Sequence, residues 1–299
     1  MPSVSSLREA SAVLAAAHAD GRRLRIGDEL TADGLDRLLE HEAGDLTCTV
    51  EAGMRLSALH AALGSHGQRL SLDPPGDPTV GALLARNLSG PLRHRFGAPR
   101  DLVLGVTLVL ADGTVASAGG KVVKNVAGYD LARLVCGSQG TLALVARASF
   151  RLHPVPKAAR TLVVEDDDTA AIAARLLGSR LQPSALDVLH PGRVAVLFEG
   201  SASAVEEQLA AARRLVGGEE TDPAVWRESR ARQAAARGRA RFAPGDLGEA
   251  LAGLSEAVVR PAAGVAYVPE PIPDAPGEGV LRLREAIRIA FDPTGVLSG

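Results

Sequence analysis

Glycine-bearing segments between residues 73 and 142 constrain this chain more than any other feature. They are Asp73 to Gly76 followed by Thr79 to Gly81, then Asn87 to Pro91, Gly119 to Asp130, and Gly137 to Leu142. Glycine lets a backbone approach a ligand closely, and successive N–H groups can hold phosphate oxygens without a charged side chain. Each segment alone also suits a tight turn without a ligand, so only their combination indicates a binding site.

Composition excludes several classes of protein. The chain has 299 residues, 46% of them hydrophobic, which is enough for more than one domain. A formal net charge of −2 gives no reason to expect a nucleic-acid partner. The N-terminus does not resemble a secretory signal, and the longest apolar stretch, at 102–111, is too short to cross a bilayer. We therefore expect a cytoplasmic protein that is at most peripheral to a membrane.

Common catalytic and metal-binding motifs are also missing. Cys48 and Cys136 have no CxxC spacing, and the histidines never occur at metal-ligand spacing, so no metal site is expected. The sequence contains no P-loop, no GxGxxG between a strand and a helix, and no GxSxG elbow. An NTPase, a Rossmann NAD site and an α/β-hydrolase are therefore not supported.

Rarely used residue types cluster in one short stretch. The chain has 30 Arg but only three Lys, two Asn and two Tyr. Lys121, Lys124, Asn125 and Tyr129 nevertheless lie within nine residues of one another. This clustering indicates a segment in which chemistry overrides a compositional bias, although chance also accounts for it.

Periodicity and turn signals predict the secondary structure. Helices are expected at 7–20, 56–63, 79–87 and 129–136, and strands at 22–26, 47–51, 68–72, 102–110, 114–118 and 141–152. Asp112-Gly113 suits a type I′ hairpin turn, and the prolines at 154 and 156 predict a domain boundary.

The remaining residues predict a smaller β-α-β-β-α unit and a final helix. Strands are expected at 161–164, 185–189 and 194–199, and helices at 169–177 and 204–216, on one face of the sheet. The segment 226–241 carries six Arg among alanines and is interpreted as a solvated helix face. A proline-rich connector at 268–276 precedes a helix at 281–290.

Taken together and in order, the glycine segments resemble the FAD domain of the vanillyl-alcohol oxidase and D-lactate dehydrogenase superfamily. Within it, the chain is most similar to the FAD-binding subunits of bacterial glycolate oxidases. The resemblance runs from about Gly34 to Pro156 and is most specific at 35–45, 95–105 and 119–142, with a weaker echo at 291–297.

The resemblance implies an α+β fold in which a two-lobed PCMH-type FAD-binding domain precedes a smaller α+β cap. The expected divisions are 1–156, with the lobes split near 74, then a cap at 157–268, then a connector and C-terminal helix at 269–299 that return to the first domain. The residues it places along the cofactor are Pro75, Gly76, Thr79, Val80, Gly81, Ser89, Gly90, Lys124, Asn125, Tyr129, Gly137, Ser138, Gly140, Thr141 and Val145.

One departure from the family pattern affects the cofactor. Superfamily members carry an early glycine-rich loop for the diphosphate, but here Ile26-Gly27 runs almost directly into Asp28 to Gly34. That replacement carries three carboxylates, which are unfavourable beside a diphosphate. We therefore expect non-covalent FAD with weak or incomplete occupancy.

The expected function follows from the resemblance. It implies an FAD-carrying subunit that oxidises a small 2-hydroxy acid such as glycolate, together with a larger homologous flavoprotein subunit and an iron–sulfur subunit. Arg93 and His94 offer a cation and a base, but surface-loop polarity explains them equally well, so no catalytic residue is assigned. The alternatives are a flavin-free structural subunit of the same complex and a self-sufficient D-lactate-like dehydrogenase.

Overall fold

The computed structural model describes residues 3–120, 130–273 and 276–297. The helices are α1 (Leu7–Ala19), α2 (Leu56–Gly64), α3 (Val80–Ala85), α4 (Arg93–Phe96), α5 (Pro99–Leu102), α6 (Leu131–Val135), α7 (Thr169–Leu177), α8 (Ala202–Val216), α9 (Ala224–Ala235), α10 (Leu247–Ala252) and α11 (Glu278–Phe291). The strands are β1 (Leu38–Glu42), β2 (Thr47–Glu51), β3 (Gln68–Arg69), β4 (Val103–Val109), β5 (Val115–Gly119), β6 (Leu144–Arg151), β7 (His153–Pro154), β8 (Ala158–Glu165), β9 (Ala185–His190), β10 (Arg193–Gly200), β11 (Glu219–Thr221), β12 (Gly238–Arg241), β13 (Ala257–Arg260) and β14 (Val265–Val268).

The first half of the chain is organised around a five-stranded antiparallel sheet in the order β1-β2-β6-β4-β5. Neighbouring residues along β6 point to opposite faces, as the period of a strand requires. Val145 packs with helices α2 and α3, whereas Leu144 packs with Leu14 of α1. The sheet therefore has a hydrophobic core on each face.

Two local predictions in this half were wrong. Residues 22–26 do not form a strand, because Leu24 and Ile26 make only isolated bridges, to Leu297 and Leu30. The turn between β4 and β5 is not type I′, because Gly113 has a φ of 84° and Asp112 has no positive φ. The N–H of Gly113 instead bonds to the carbonyl oxygen of Leu110 at 2.9 Å, which is typical of a type I turn closed by a glycine bulge.

Residues 158–268 carry a second sheet, with seven strands in the order β11-β8-β10-β9-β13-β14-β12. The sequence predicted β8, β9 and β10 with helices α7 and α8, but it missed the short strands β11 to β14. Helices α7, α8 and α10 pack on one face, whereas Trp226 of α9 packs on the other face against Leu189 and Ala195. The prediction that helices cover only one face was therefore wrong.

The C-terminal residues join the N-terminal core. Helix α11 has no buried side chain, but Val296 and Leu297 are buried beside α1. Asp292 is 1% exposed and accepts the N–H groups of Val296 and Leu297 at 2.9 and 2.7 Å, which fixes this tail in place. The tail thus packs on the first half of the chain.

The described residues mix helices with antiparallel sheets, which confirms the predicted α+β class. The domain limits and the lobe division near residue 74 stay predictions. In the described part of the chain, no helix combines the length and apolar character that crossing a membrane requires.

Candidate functional site

A cleft of about 500 Å³ lies where the glycine segments meet the N-terminal turn. It is lined by parts of 25–33, by Ala52 and Arg55, and by parts of 78–86 and 139–145, and we call it the cofactor cleft. Its volume lies within the range of small-molecule sites, roughly 300–1,000 Å³. The chain thus forms a concave site from the segments that sequence reasoning singled out.

The structure brings some of the predicted residues to this cleft. Thr79, Gly81, Gly140 and Val145 line it. Val80 is 0% exposed and packs in the core, so only its backbone is near the cleft.

Other predicted residues lie near the cleft without lining it. Gly137 and Ser138 belong to a loop that docks on the end of α3, where the N–H of Gly137 bonds to the carbonyl oxygen of Leu84 at 3.0 Å. The hydroxyl of Thr141 donates to the carbonyl oxygen of Ser138 at 2.7 Å. Pro75 and Gly76 precede the Pro78–Thr79 wall of the cleft. Lys124, Asn125 and Tyr129 lie outside the described residues.

The backbone donors at the start of α3 are already paired within the protein. The N–H of Val80 bonds to the carbonyl oxygen of Met54 at 2.9 Å, and that of Gly81 to Ala52 at 2.7 Å. The hydroxyl oxygen of Thr79 accepts the N–H of Ala82 at 3.3 Å. This helix start therefore offers a ligand no free donor from these residues.

The turn that replaces the early glycine-rich loop is likewise closed on itself. The carbonyl oxygen of Arg25 accepts the N–H groups of Asp28, Glu29 and Leu30, and the N–H of Gly27 bonds to Leu30 at 2.8 Å. None of these backbone groups is left to hold a phosphate oxygen.

Arginine side chains supply the positive charge of the cleft instead. Arg25, Arg55 and Arg86 line it, together with two carboxylates, Asp28 and Asp33. Arg25 is 3.5 Å from Asp28 in an exposed pair, whereas Arg86 forms no ion pair with any residue the structure describes. Guanidinium groups suit phosphate oxygens because they donate in a planar fork. The lining thus fits an elongated dinucleotide such as FAD, with arginines in place of backbone donors.

Ser89 and Gly90 lie outside this cleft, in a contact between the first half of the chain and the second sheet. Ser89 is 2% exposed, and a Cβ at Gly90 would lie 1.8 Å from the carbonyl oxygen of Asp73. Only glycine fits there. Gln233 of α9 donates its side-chain amide to the carbonyl oxygen of Ser89 at 2.9 Å.

A buried polar network continues from this contact into the second sheet. The side chain of Arg260 is 1% exposed and lies 3.4 Å from the 0% exposed carboxylate of Asp187. Arg260 also donates to Gln233 at 2.7 Å, and Ser229 donates to Asp187 at 2.5 Å. Two guanidinium nitrogens of Arg260, Nε and Nη1, have no hydrogen-bond partner among the residues that the structure describes. We call these four residues with Ser89 the interdomain network.

Arg93 and His94 of α4 face the same region. Arg93 donates to the hydroxyl of Ser89 at 3.2 Å, and burial lowers its pKa. Burial likewise lowers the pKa of His94, whose buried Nδ1 makes no hydrogen bond within the described part of the chain. His94 is thus neutral at neutral pH, which is the form that accepts a proton.

Asp73 also lies in this contact, and its titration should make the stability of the fold depend on pH. Its Oδ2 lies 3.4 Å from Arg230 of α9, and burial, opposed by the N–H of Leu92, raises its pKa from 3.8 to about 7. Between these values the folded chain keeps a proton that the unfolded chain releases, so the free energy of unfolding falls as pH rises through this window. Above about pH 7 the stabilising contribution of protonated Asp73 is lost completely.

We expect Asp73→Asn to weaken this pH dependence, because an amide does not titrate. The difference is measured from the urea unfolding midpoints of the parent chain and the variant at about pH 5 and about pH 8. All other titrating groups are the same in the two proteins, so their contributions cancel in the comparison. A variant whose midpoint falls with pH as steeply as that of the parent chain would contradict the burial of a titrating carboxyl at this position.

Sequence reasoning missed the residues that carry charge at these sites. Arg25, Arg55 and Arg86 are three of 30 arginines, and nothing local distinguishes them. Arg230 lies in the segment that was interpreted as a solvated helix face, yet it contacts Asp73. The available signal was the presence of polar Ser229 and Gln233 on the buried side of that helix.

Comparison with known proteins agrees with this geometry. Residues 27–119 match the sequence family described as FAD binding domain. The glycolate oxidase subunit GlcE of Escherichia coli is 34% identical over 218 residues, which cover 70% of this chain and 61% of that protein. The mitochondrial D-lactate dehydrogenase (cytochrome) 1 of Saccharomyces cerevisiae is 34% identical over 171 residues, covering 55% of this chain and 29% of the enzyme.

A further relative is the glycolate oxidase subunit GlcD of Bacillus subtilis, 34% identical over 168 residues that cover 54% of this chain and 36% of that protein. The chain thus spans less than two thirds of the length of each of these relatives. Among solved structures, an alkyldihydroxyacetonephosphate synthase superposes with a TM-score of 0.73 at 15% identity, covering 98% of this chain and 74% of that one. At this identity the likeness concerns the fold alone, and it confirms the predicted fold class.

Proposed function

We propose that the chain is a member of the PCMH-type FAD-binding superfamily and the FAD-carrying subunit of a glycolate-oxidising complex. The cofactor cleft is the observation that carries the proposal. It unites Thr79, Gly81 and Gly140 with the guanidinium groups of Arg25 and Arg86. Bound FAD would supply the acceptor for the hydride that leaves the hydroxyl-bearing carbon of a 2-hydroxy acid.

The chain's own residues have distinct parts in this proposal. Arg25, Arg55 and Arg86 line the cleft and would hold the diphosphate by charge-assisted hydrogen bonds. Gly81 and Gly140 bring the backbone close to Ala52 and Ile26, which also line the cleft. A Cβ would lie 3.2 Å from the carbonyl oxygen of Ala52 at Gly81, and 2.9 Å from Ile26 at Gly140.

The substrate site is completed by a partner in this proposal. A 2-hydroxy acid needs a cation for its carboxylate and a base for its hydroxyl proton. Arg93 and Arg260 are cations and His94 can act as a base, but all three are held in the contact between the two halves of the chain. We therefore infer a stable complex with a larger homologous flavoprotein subunit and an iron–sulfur subunit.

Copurification tests this assembly. A tagged chain isolated from its native cell should bring both partners with it in constant ratio. If the chain were isolated alone and still reduced a dye with glycolate, the need for a partner would be refuted.

One observation favours a second function, a flavin-free structural subunit of the same complex. The backbone donors of the turn 27–30 are all paired within the protein. If each lost charge-assisted hydrogen bond costs about 1.5–3 kcal/mol, the loss of two or three weakens FAD binding by several orders of magnitude.

The visible spectrum of the purified chain separates the two functions. We expect less than one FAD per chain after purification, uptake of added FAD, and its partial loss on gel filtration, because arginine side chains replace only part of the lost loop. A yellow protein that retains one FAD per chain would contradict weak binding. A colourless protein that added FAD cannot reconstitute would favour the structural subunit.

A further inference from the structure

A second cavity, of about 460 Å³, lies between the two halves of the chain. Its wall on the first side is formed by Arg69, Arg95, Phe96 and residues 153–157. Ser184 and residues 199–201 form the opposite wall, and we call the cavity the interdomain groove. It shares no lining residue with the cofactor cleft.

Phe96 provides an apolar surface inside the groove. Its ring centroid lies 4.7 Å from that of His153, and the guanidinium groups of Arg69 and Arg95 lie 5.4 and 5.8 Å from it. Pro154 and Pro156 extend the apolar wall. A planar or compact apolar group therefore finds both a hydrophobic surface and nearby cations here.

The charge around this surface is positive. Arg69 is neutralised by Glu199 across the groove, with guanidinium to carboxylate distances of 2.8 and 2.6 Å. Arg95 and Lys157 are exposed and form no ion pair with any residue that the structure describes. Among the described residues, these two cations at the rim thus have no carboxylate partner.

A buried hydroxyl at the groove also has no partner. Ser184 is 0% exposed, its Oγ makes no hydrogen bond with any described residue, and it lines the cavity. An unpaired buried hydroxyl costs free energy unless a ligand or water satisfies it. Beside it, helix α8 begins after its N-cap Ser201, so the positive end of the helix dipole is directed to the same space.

We propose that the interdomain groove binds a small organic anion, with its carboxylate or other oxyanion beside Arg95, Lys157 and Ser184 and its apolar part on Phe96. A purely inorganic anion would leave the ring of Phe96 and the prolines uncovered, and a neutral apolar molecule would leave both cations unpaired. Because the groove has one wall in each half of the chain, the bound anion also stabilises their contact.

His153 offers a built-in reporter of this binding. Burial, together with the nearby cations Arg151, Arg69 and Arg95, lowers its pKa to about 4, and Glu199 is the carboxylate that faces the groove. An anion that binds among these cations offsets their repulsion of a protonated imidazole. The pKa of His153 therefore rises when the site is filled.

The experiment is an NMR titration of the histidine-labelled chain with benzenesulfonate as the probe, because a sulfonate stays ionised at the low pH at which His153 titrates. A His153→Gln variant assigns the His153 signal. Benzenesulfonate should raise the pKa of His153, and benzenesulfonamide, its uncharged counterpart, should bind at least tenfold more weakly. The double variant Arg95→Met/Lys157→Met should weaken benzenesulfonate binding about tenfold, because it removes two exposed cations. Both side chains are exposed, so their replacement should not unfold the chain.

Two comparisons complete the test. Ser184→Ala should weaken benzenesulfonate binding several-fold, whereas Arg22→Met, an exposed arginine outside the groove, should leave it unchanged. The proposal is overturned if benzenesulfonate does not move the His153 titration, if benzenesulfonamide binds as tightly as benzenesulfonate, or if the double variant binds benzenesulfonate with the affinity of the parent chain. None of these readouts depends on flavin.

Discussion

Asp187→Asn should lower the free energy of unfolding by about 3–5 kcal/mol, because it leaves a buried guanidinium without its counterion. Arg260 is 1% exposed, and its Nε is 3.4 Å from the carboxylate of Asp187. An amide keeps the acceptor that Ser229 uses but removes the negative charge. Urea unfolding followed by far-UV circular dichroism measures the difference.

Two controls distinguish the effect of leaving a buried charge unpaired from the effect of removing any charge. Glu256→Gln removes the more distant of two carboxylate partners of Arg232, in a partly exposed pair at 3.5 Å, and should cost less than about 1 kcal/mol. The double replacement Asp187→Leu/Arg260→Met removes both buried charges and should recover most of the lost stability. If Asp187→Asn cost no more than the surface replacement, the buried ion pair would not stabilise the contact in the way the structure indicates.

The second large effect concerns FAD affinity. The double variant Arg25→Met/Arg86→Met should raise the dissociation constant for FAD by about 10- to 100-fold, since each arginine provides a charge-assisted hydrogen bond worth about 1 kcal/mol or more at a partly exposed site. The physical reason is that the backbone donors of the turn 27–30 are already paired, so in the proposed function side chains would hold the diphosphate. Quenching of FAD fluorescence during titration with protein measures the constant.

Riboflavin and a matched arginine provide the controls for this prediction. Riboflavin lacks the diphosphate, so the double variant should bind it with the same affinity as the parent chain. Arg22→Met removes a neighbouring exposed arginine that does not line the cofactor cleft and should leave FAD binding unchanged. If the double variant lost the same affinity for riboflavin as for FAD, the arginines would stabilise the fold of the cleft and would not bind the phosphates.

Several elements of the fold could be predicted because their apolar residues recur with the period of a strand or a helix. Strand β2 and helix α7 lie at the predicted residues, 47–51 and 169–177. Strands β11 to β14 were missed because each has only three or four residues, too few for a period to be recognised. They are fixed by pairing with distant strands, as where Val259 pairs with Val188.

The candidate site was partly predictable for a related reason. Close backbone approach requires glycine, so Gly81, Gly90 and Gly140 were visible in the sequence, and each has a neighbour within 3.2 Å of a built Cβ. The sequence could not assign Ser89 and Gly90 to the interdomain contact, because the groups that cover them, Gln233 and Asp73, come from elsewhere in the chain.

By itself, then, the sequence determined the α+β class, through the resemblance that its ordered glycine segments carry. It also determined the segments that can approach a ligand, because glycine placement acts locally. Only the tertiary structure decided which hydrogen-bond donors remain available to a ligand. Val80, Gly81 and the turn 27–30 have their N–H groups paired inside the protein, while Arg25 and Arg86, distant in sequence, meet at one cleft. The physical reason is that hydrogen-bond pairing and burial depend on which distant residues share a contact, and no local pattern encodes that.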